Sequence, residues 1–170
     1  MTSDRTGPGY LGNAAGLLIL RFFLGIFLLQ WSVEKLILPT SAIRISQSFY
    51  NVPLPQSAPY FLGGAELMLS LALLFGAFRT ASYGLALAVH TVTVIVSWRQ
   101  LADPYGLAKV GNHLWIATWP TFGGFVALFL MRYSDIYTID GWRTPTHGTL
   151  HSRGRPYGPG KSSLDQRRSA

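Results

Sequence analysis

The sequence predicts an all-α integral membrane protein, a bundle of four helices with both termini in the cytoplasm. Hydrophobic residues make up 49% of the chain and charged residues only 12%, whereas a soluble domain carries about 25% charged residues. The apolar residues also occur in four long blocks, each close to the roughly 20 residues that cross about 30 Å of hydrocarbon. Because backbone groups find no water in lipid, these blocks should form helices.

The four predicted spans follow one another through connections of different length. They cover residues 14–38, with Arg21, Glu34 and Lys35; residues 59–78, with Glu66; residues 81–98, with His90; and residues 113–131. The connection 39–58 carries Thr40 and Ser41, either of which could cap a short helix on the membrane surface. The boundaries divide the chain into an N-terminal segment 1–13, a transmembrane domain 14–140 and a basic tail 141–170, which we expect to be disordered.

Basic residues indicate the direction of the spans, since cytoplasmic segments of membrane proteins carry an excess of Lys and Arg. With both ends inside, nine basic residues lie in the cytoplasm and four lie outside. The nine are Arg5, Arg79, Arg132, Arg143, Arg153, Arg155, Lys161, Arg167 and Arg168, and the four are Lys35, Arg44, Arg99 and Lys109. We attribute the net charge of +7 to this topology and to anionic lipid rather than to nucleic acid.

The residue types exclude several redox and metal sites. Without cysteine, the chain can form no disulfide, no cysteine-bound iron–sulfur cluster and no thiolate metal site. His90 lies near mid-membrane, but a haem would need a second axial ligand at similar depth, and His113 is too close to the outer surface. His147 and His151 lie in the tail on either side of Gly148. We therefore predict no metal and no covalent cofactor.

Helical phase predicts which face of each span turns toward the bundle. At about 100° per residue, small and polar residues share one stripe of each helix. The stripes are Arg21, Gly25, Leu28, Ser32 and Lys35; Gly63, Glu66, Ser70 and Ala77; Ala86, His90, Thr93 and Ser97; and His113, Ala117, Pro120 and Gly124. Small residues allow close helix packing and polar ones bond across helices. Packing alone would explain the Gly, Ala and Ser positions.

Depth places several polar residues in the outer part of the membrane. Those expected to converge there are Gln30, Glu34, Lys35, Glu66, Arg99, Asn112 and His113. Glu66 is the most informative, because a carboxylate in hydrocarbon must be protonated or paired. Lys35, Arg99 or His113 could be its partner. Lys35 shares the inward stripe and is the better candidate, whereas Glu34 falls on another face and is expected to mark the membrane boundary.

The candidate polar site comprises Arg21, Lys35, Glu66, His90, Arg99 and His113. Arg21 could snorkel toward lipid phosphate or face the bundle. His90 could be a hydrogen-bonded core residue, or it could handle a proton or contact a quinone. Asp135 and Asp140 follow the fourth span among aromatic residues and indicate a short interfacial segment.

Three segments of the sequence resemble the DoxX family of small four-helix bacterial membrane proteins. They are "LRFFLGIFLLQWSVEKLILP", with an Arg, a Gly and a Lys-Leu pair; "GGAELMLSLALLFGAFRTASYGLAL", with Gly-x-x-Glu and an Arg turn; and "NHLWIATWPTFGGFVALFL" at the position of the last helix. The MauE and DoxD proteins look similar. Two features depart from the family pattern. No Gly stands at Ser32 or Val33, and "SSLD" comes late, at residues 162–165, while "YTID" at 137–140 lies nearer the usual place of Ser-Leu-Asp.

The resemblance implies a multi-pass subunit of a quinone-linked oxidoreductase system in the bacterial cytoplasmic (inner) membrane. Relatives are linked to thiosulfate:quinone oxidoreduction and to complexes that handle oxidative stress. Lys35 or Arg21 would bond a quinone carbonyl, while Glu66 or His90 handled the proton. Two alternatives stay open: a scaffold that docks a partner through its outer loop or basic tail, and a small transporter, which would have to be oligomeric. The expected partners are membrane lipid and either protein subunits or further copies of the chain.

Overall fold

The four predicted spans are confirmed as four helices long and apolar enough to cross a membrane. The computed structural model describes residues 8–108 and 113–143. Its helices are α1 (Pro8–Ile37), α2 (Pro39–Ile45), α3 (Ala58–Phe75), α4 (Arg79–Val96), α5 (Trp98–Ala102), α6 (Thr118–Leu130) and α7 (Ile139–Arg143). A π-helical turn, Ser46–Tyr50, follows α2, and a 3₁₀ turn, His113–Ala117, precedes α6. No strand occurs within the described ranges. The assignment of both termini to the cytoplasm stays a prediction.

The helices at both ends of the described chain extend past the predicted domain boundaries, and the division into domains stays a prediction. α1 begins at Pro8, within the predicted N-terminal segment. Proline is favourable there because the first helical residue needs no N–H partner and because proline already has the required φ. At the other end, α7 continues through Arg143, past the predicted boundary at residue 140. The remainder of the predicted tail lies outside the described residues.

The spanning helices pack as an antiparallel square. α1 packs against α3 and α6, and α4 packs against the same two helices. Leu24, Leu28, Leu73, Phe125 and Leu128 meet in the centre. We call the end that carries the α3–α4 turn and the α6–α7 connection the turn end. The opposite end, which carries α2 and α5, is called the loop end.

The predicted inward stripes are correct for three helices and, apart from Gly124, wrong for the fourth. Buried stripe residues are Arg21, Leu28 and Ser32 of α1, Ser70 of α3, and Ala86, His90 and Ser97 of α4. In the fourth span, His113, Ala117 and Pro120 are exposed, while Phe125 and Leu128 are buried. Gly124 is the one member of that stripe that faces α1, at Leu20 and Leu24. The 3₁₀ turn explains the error, because it has 3.0 residues per turn and a phase counted from His113 is lost before α6 begins.

The tight turn between α3 and α4 is built around Gly76. This residue ends α3 in the left-handed conformation, with φ of 64°, and the N–H of Ala77 donates to the Ala72 carbonyl at 2.9 Å. α4 then begins at Arg79, whose backbone N–H donates to Asp140 Oδ2 at 2.7 Å. A side chain from α7 therefore satisfies one of the free N–H groups at the start of α4.

At the loop end, the connection after α1 turns back over the bundle. Neither predicted cap of the short helix is present, because α2 begins at Pro39 without a side-chain cap. The Ser41 hydroxyl donates instead to Glu34 Oε1 at 2.9 Å. The Ser46 hydroxyl donates to the Val52 carbonyl at 2.8 Å and closes the π-helical turn. The Ser41–Glu34 bond fastens α2 to the end of α1.

Candidate functional site

The residues of the predicted polar site lie in different parts of the bundle. Lys35, Glu66 and His90 line a single cavity at the loop end. Arg21 lies at the turn end, about 21 Å from Lys35 along α1, since an α-helix rises about 1.5 Å per residue. Arg99 and His113 do not line this cavity. Neither of them is a hydrogen-bond partner of Arg21.

Lys35 and Glu66 form the ion pair that helical phase predicted. Lys35 Nζ lies 2.5 Å from Glu66 Oε2, and the two side chains are 25% and 12% exposed. The ammonium also donates to the Trp31 carbonyl at 3.3 Å and lies 5.7 Å from the centre of the Trp31 ring. Gly63 faces Lys35 and Leu36 so closely that an added Cβ would approach within about 3 Å of them. The absence of a side chain at Gly63 thus lets α3 approach α1 at this pair.

The cavity beside the ion pair has a volume of about 610 Å³, which lies within the range of small-molecule sites. α1, α3 and α4 form its walls, and α2 with the π-helical turn contributes to its lining at the loop end. Most of the lining is apolar, and the aromatic rings of Phe27 and Trp31 contribute to one wall. An apolar cavity with a few convergent polar groups is the general form of a ligand site.

His90 supplies a further polar group to the cavity wall. Its side chain is 4% exposed and lies among three phenylalanine rings, with ring centres 5.1 Å from Phe125, 5.6 Å from Phe27 and 6.3 Å from Phe122. Its Nε2 is buried without a hydrogen-bond partner among the described residues. Burying such an atom unpaired is costly, so His90 has capacity to bond a polar ligand.

Glu34 also lines this cavity, although the sequence assigned it to the membrane boundary. Its carboxylate accepts the Ser41 hydroxyl, while Lys35 pairs with Glu66. Glu34 and Lys35 therefore bond to different partners, as helical phase predicted. The role of Glu34 as a boundary residue stays a prediction.

The expected convergence of seven polar residues is only partly present. Gln30 is exposed, and Asn112 lies outside the described residues. Arg99 is exposed beside the Trp98 ring, 5.6 Å from its centre, because α4 ends at Val96 and its phase does not continue into α5. His113 is exposed and lies edge-on to the Tyr105 ring at 5.5 Å.

Arg21 forms a second buried ion pair, which the sequence analysis missed. Arg21 Nη1 donates to Asp135 Oδ2 at 3.1 Å, and the two side chains are 3% and 0% exposed. Tyr83 donates its hydroxyl to the same oxygen at 2.8 Å, and Arg21 Nη2 donates to the Tyr137 carbonyl at 2.6 Å. Asp135 is thus a core residue rather than part of an exposed interfacial segment. The guanidinium does not snorkel toward lipid.

A signal for this pair was present in the sequence. An Arg inside a span requires an acidic or carbonyl partner, and four spans return the chain to the side from which α1 starts. Asp135 follows the fourth span directly and is therefore at the depth of Arg21. The neighbouring Arg79 supports this arrangement, because its side chain donates to the Asp135 carbonyl at 2.8 Å.

Arg132 and Tyr133, at the surface of the turn end, offer a pH-dependent test of the local geometry. Arg132 Nη2 donates to the Tyr133 hydroxyl at 3.2 Å. This bond, with a smaller contribution from Thr80, lowers the pKa of Tyr133 from its ordinary value of 10.0. We expect Arg132→Gln to move the phenol transition to higher pH, measured as the ultraviolet difference between each protein and its Tyr133→Phe counterpart. An unchanged midpoint would show that the bond does not form in solution.

The described residues contain no group of three or more His, Asp or Glu side chains that could hold a metal ion. The polar groups at the loop end can take part in hydrogen bonding and proton exchange. Lys35 can donate, Glu66 can accept or hold a proton, and His90 can do either. An apolar molecule with a polar head would fit these groups.

The fold and the two ion pairs inside it define a multi-pass membrane protein built as a four-helix bundle. The family model described as DoxX matches residues 16–98, from α1 to the start of α5. This match confirms the predicted resemblance to the DoxX family over that segment. No curated protein and no solved structure matches the chain. The matched segment contains Arg21, Lys35, Glu66 and His90.

Proposed function

We propose that this protein is a membrane subunit of a quinone-linked oxidoreductase system and that it binds a quinone in the loop-end cavity. One observation carries the proposal: a cavity of about 610 Å³ has largely apolar walls and holds Lys35, Glu66 and His90 together. The unpaired Nε2 of His90 supports a ligand with polar atoms. In this proposal, a partner subunit carries the electron-transferring centre.

The residues of the cavity suit a quinone head group. Lys35 Nζ would donate an N–H to a carbonyl oxygen beside it, and Glu66, 2.5 Å from that nitrogen, would hold or release the accompanying proton. Trp31 and Phe27 offer ring faces and edges for a flat head group. His90 borders the cavity as a second polar group. A bound quinone would supply two-electron, two-proton redox chemistry. Arg21 has no part in this site.

The proposal predicts that the protein retains quinone when it is purified from a quinone-containing membrane into lipid nanodiscs. Glu66→Gln and Lys35→Met should each lower the bound quinone about tenfold, because a hydrogen bond to a charged group contributes about 1.5–3 kcal/mol. Arg99→Gln is the matched control, since Arg99 is exposed at the same end of the bundle and does not line the cavity. Quinone is extracted and counted per chain by chromatography.

Two results together would contradict the proposal. The first is wild-type protein without quinone, and the second is a host whose quinone-linked respiration is unchanged by Glu66→Gln. If Arg99→Gln lowered quinone as strongly as Glu66→Gln, the loss would not belong to the cavity.

A further inference from the structure

We infer that the cavity binds a ligand with a long apolar tail and that this tail leaves the bundle through the gap between α3 and α4. The inference rests on the proposed function, because it adds a tail site to the same head-group site. It also identifies lipid, rather than water, as the side from which the ligand enters.

The cavity extends along the bundle axis. Its lining extends from Phe27 to Lys35 on α1 and from Leu85 to Thr93 on α4, and each of these stretches is about 12 Å long at 1.5 Å per residue. The charged lining residues, Glu34, Lys35 and Glu66, come from the segments nearest the loop end. The deeper lining consists of apolar side chains and His90. A polar head therefore fits toward the loop end, with an apolar body below it.

The deep part of the cavity continues to the outer face of the bundle. Leu85 and Val89 line the cavity and are nevertheless 56% and 37% exposed. α3 packs far more extensively against α1 than against α4, so the α3–α4 contact is the looser of the two. Where Leu85 and Val89 are exposed, the surrounding medium is hydrocarbon. This gap is thus an apolar opening at membrane depth.

The loop end of the cavity is lined by α2 and the π-helical turn. Ala42, Ile45 and Tyr50 contribute there, and the Ser41–Glu34 hydrogen bond fastens α2 in place. A ligand that arrived from water at this end would have to carry its apolar tail past α2 and the charged groups. A ligand dissolved in the bilayer meets only the apolar side chains of the α3–α4 gap.

A polyprenyl chain matches this opening because it is long, flexible and without charge. Moving such a chain from lipid into the gap provides no hydrophobic driving force, since lipid is equally apolar. The gap acts sterically, because it gives the tail an exit while the head reaches Lys35 and Glu66. Filling the gap should therefore exclude tailed ligands and spare tailless ones.

The test is Leu85→Trp, which places a large side chain in the gap and leaves the head-group residues unchanged. Ile95→Trp is the matched control, because Ile95 lies on the same helix, is 62% exposed and does not line the cavity. Nanodiscs of quinone-free phosphatidylcholine are loaded with a tailless benzoquinone or with the same head on a polyprenyl tail. Bound quinone per chain is then measured after washing. We expect Leu85→Trp to lower the tailed quinone about tenfold, the effect of a moderate steric clash, and to leave the tailless one unchanged.

The outcomes distinguish a failure of the tail site from a failure of the proposed quinone site. Unchanged binding of the tailed quinone in both Leu85→Trp and Val89→Trp would overturn the tail site. Equal loss of tailed and tailless quinone in both variants would overturn it as well, because the gap would then not be separable from the head-group site. If wild-type protein binds neither quinone, the head-group site fails, and with it the part of the proposed function that places a quinone in this cavity. If it binds both and only Leu85→Trp and Val89→Trp reject the tailed one, the lateral exit is established.

Discussion

Asp135→Asn should destabilise the protein by about 3–5 kcal/mol, the cost of leaving a buried charge without its partner. Arg21 and Asp135 are 3% and 0% exposed at the side chain, so neither can turn to water. Asparagine keeps the shape of the side chain but removes the charge that balances the guanidinium. Unfolding of the protein in detergent, followed by loss of helical circular dichroism, measures the difference.

Two further variants separate charge from hydrogen bonding at this pair. Tyr83→Phe removes only the hydroxyl that donates to Asp135 Oδ2 at 2.8 Å and should cost about 1 kcal/mol. The double variant Arg21→Met, Asp135→Leu removes both charges and should recover most of the lost stability. If Asp135→Asn is as stable as the wild type, the Tyr137 carbonyl alone satisfies Arg21 and the ion pair is dispensable.

Gly76→Ala should be the second most damaging change, with an expected loss of about 3 kcal/mol. The left-handed conformation at this residue, with φ of 64°, costs an L side chain about 1–2 kcal/mol. The new Cβ would also lie 2.6 Å from the Cβ of Thr138 and closer still to Arg21 Nη1. Such overpacking adds about 1–3 kcal/mol. Thermal unfolding in the same detergent would measure the sum.

Gly64→Ala provides the control for this substitution. Gly64 lies inside α3, and an added Cβ there would meet no atom within 4 Å. Alanine is better than glycine in a helix by about 0.5–1 kcal/mol, so this variant should be as stable as the wild type or more stable. Equal effects of the two substitutions would mean that the turn at Gly76 is not held as the structure describes.

The spans and the Lys35–Glu66 pair could be predicted because both follow from local rules. Span length is set by the thickness of hydrocarbon, and a regular helix keeps its phase from Arg21 to Lys35. Phase therefore separated Lys35 from Glu34 correctly. The same rule failed at the 3₁₀ turn before α6, where the phase counted from His113 was lost. Arg99 was placed by depth alone, and depth does not fix the direction in which a side chain points.

Asp135 was harder to predict because its burial depends on tertiary structure. In the sequence it follows the fourth span among Tyr133 and Tyr137, a composition that is typical of the membrane interface. Its burial requires the α6–α7 connection to fold back onto Gly76 and Arg21, which no periodicity encodes. The cavity could not be predicted either, since it depends on how far α3 stands from α4 and on the path of α2 across the loop end.

The two ion pairs have a consequence for the electrical behaviour of the bundle. A charge that crosses a membrane potential of 100 mV changes in energy by about 2.3 kcal/mol. Arg21 with Asp135, and Lys35 with Glu66, each carry no net charge, so the resting voltage exerts little net force on them. Glu66→Gln would instead leave Lys35 as an uncompensated positive charge, on which the membrane potential acts directly.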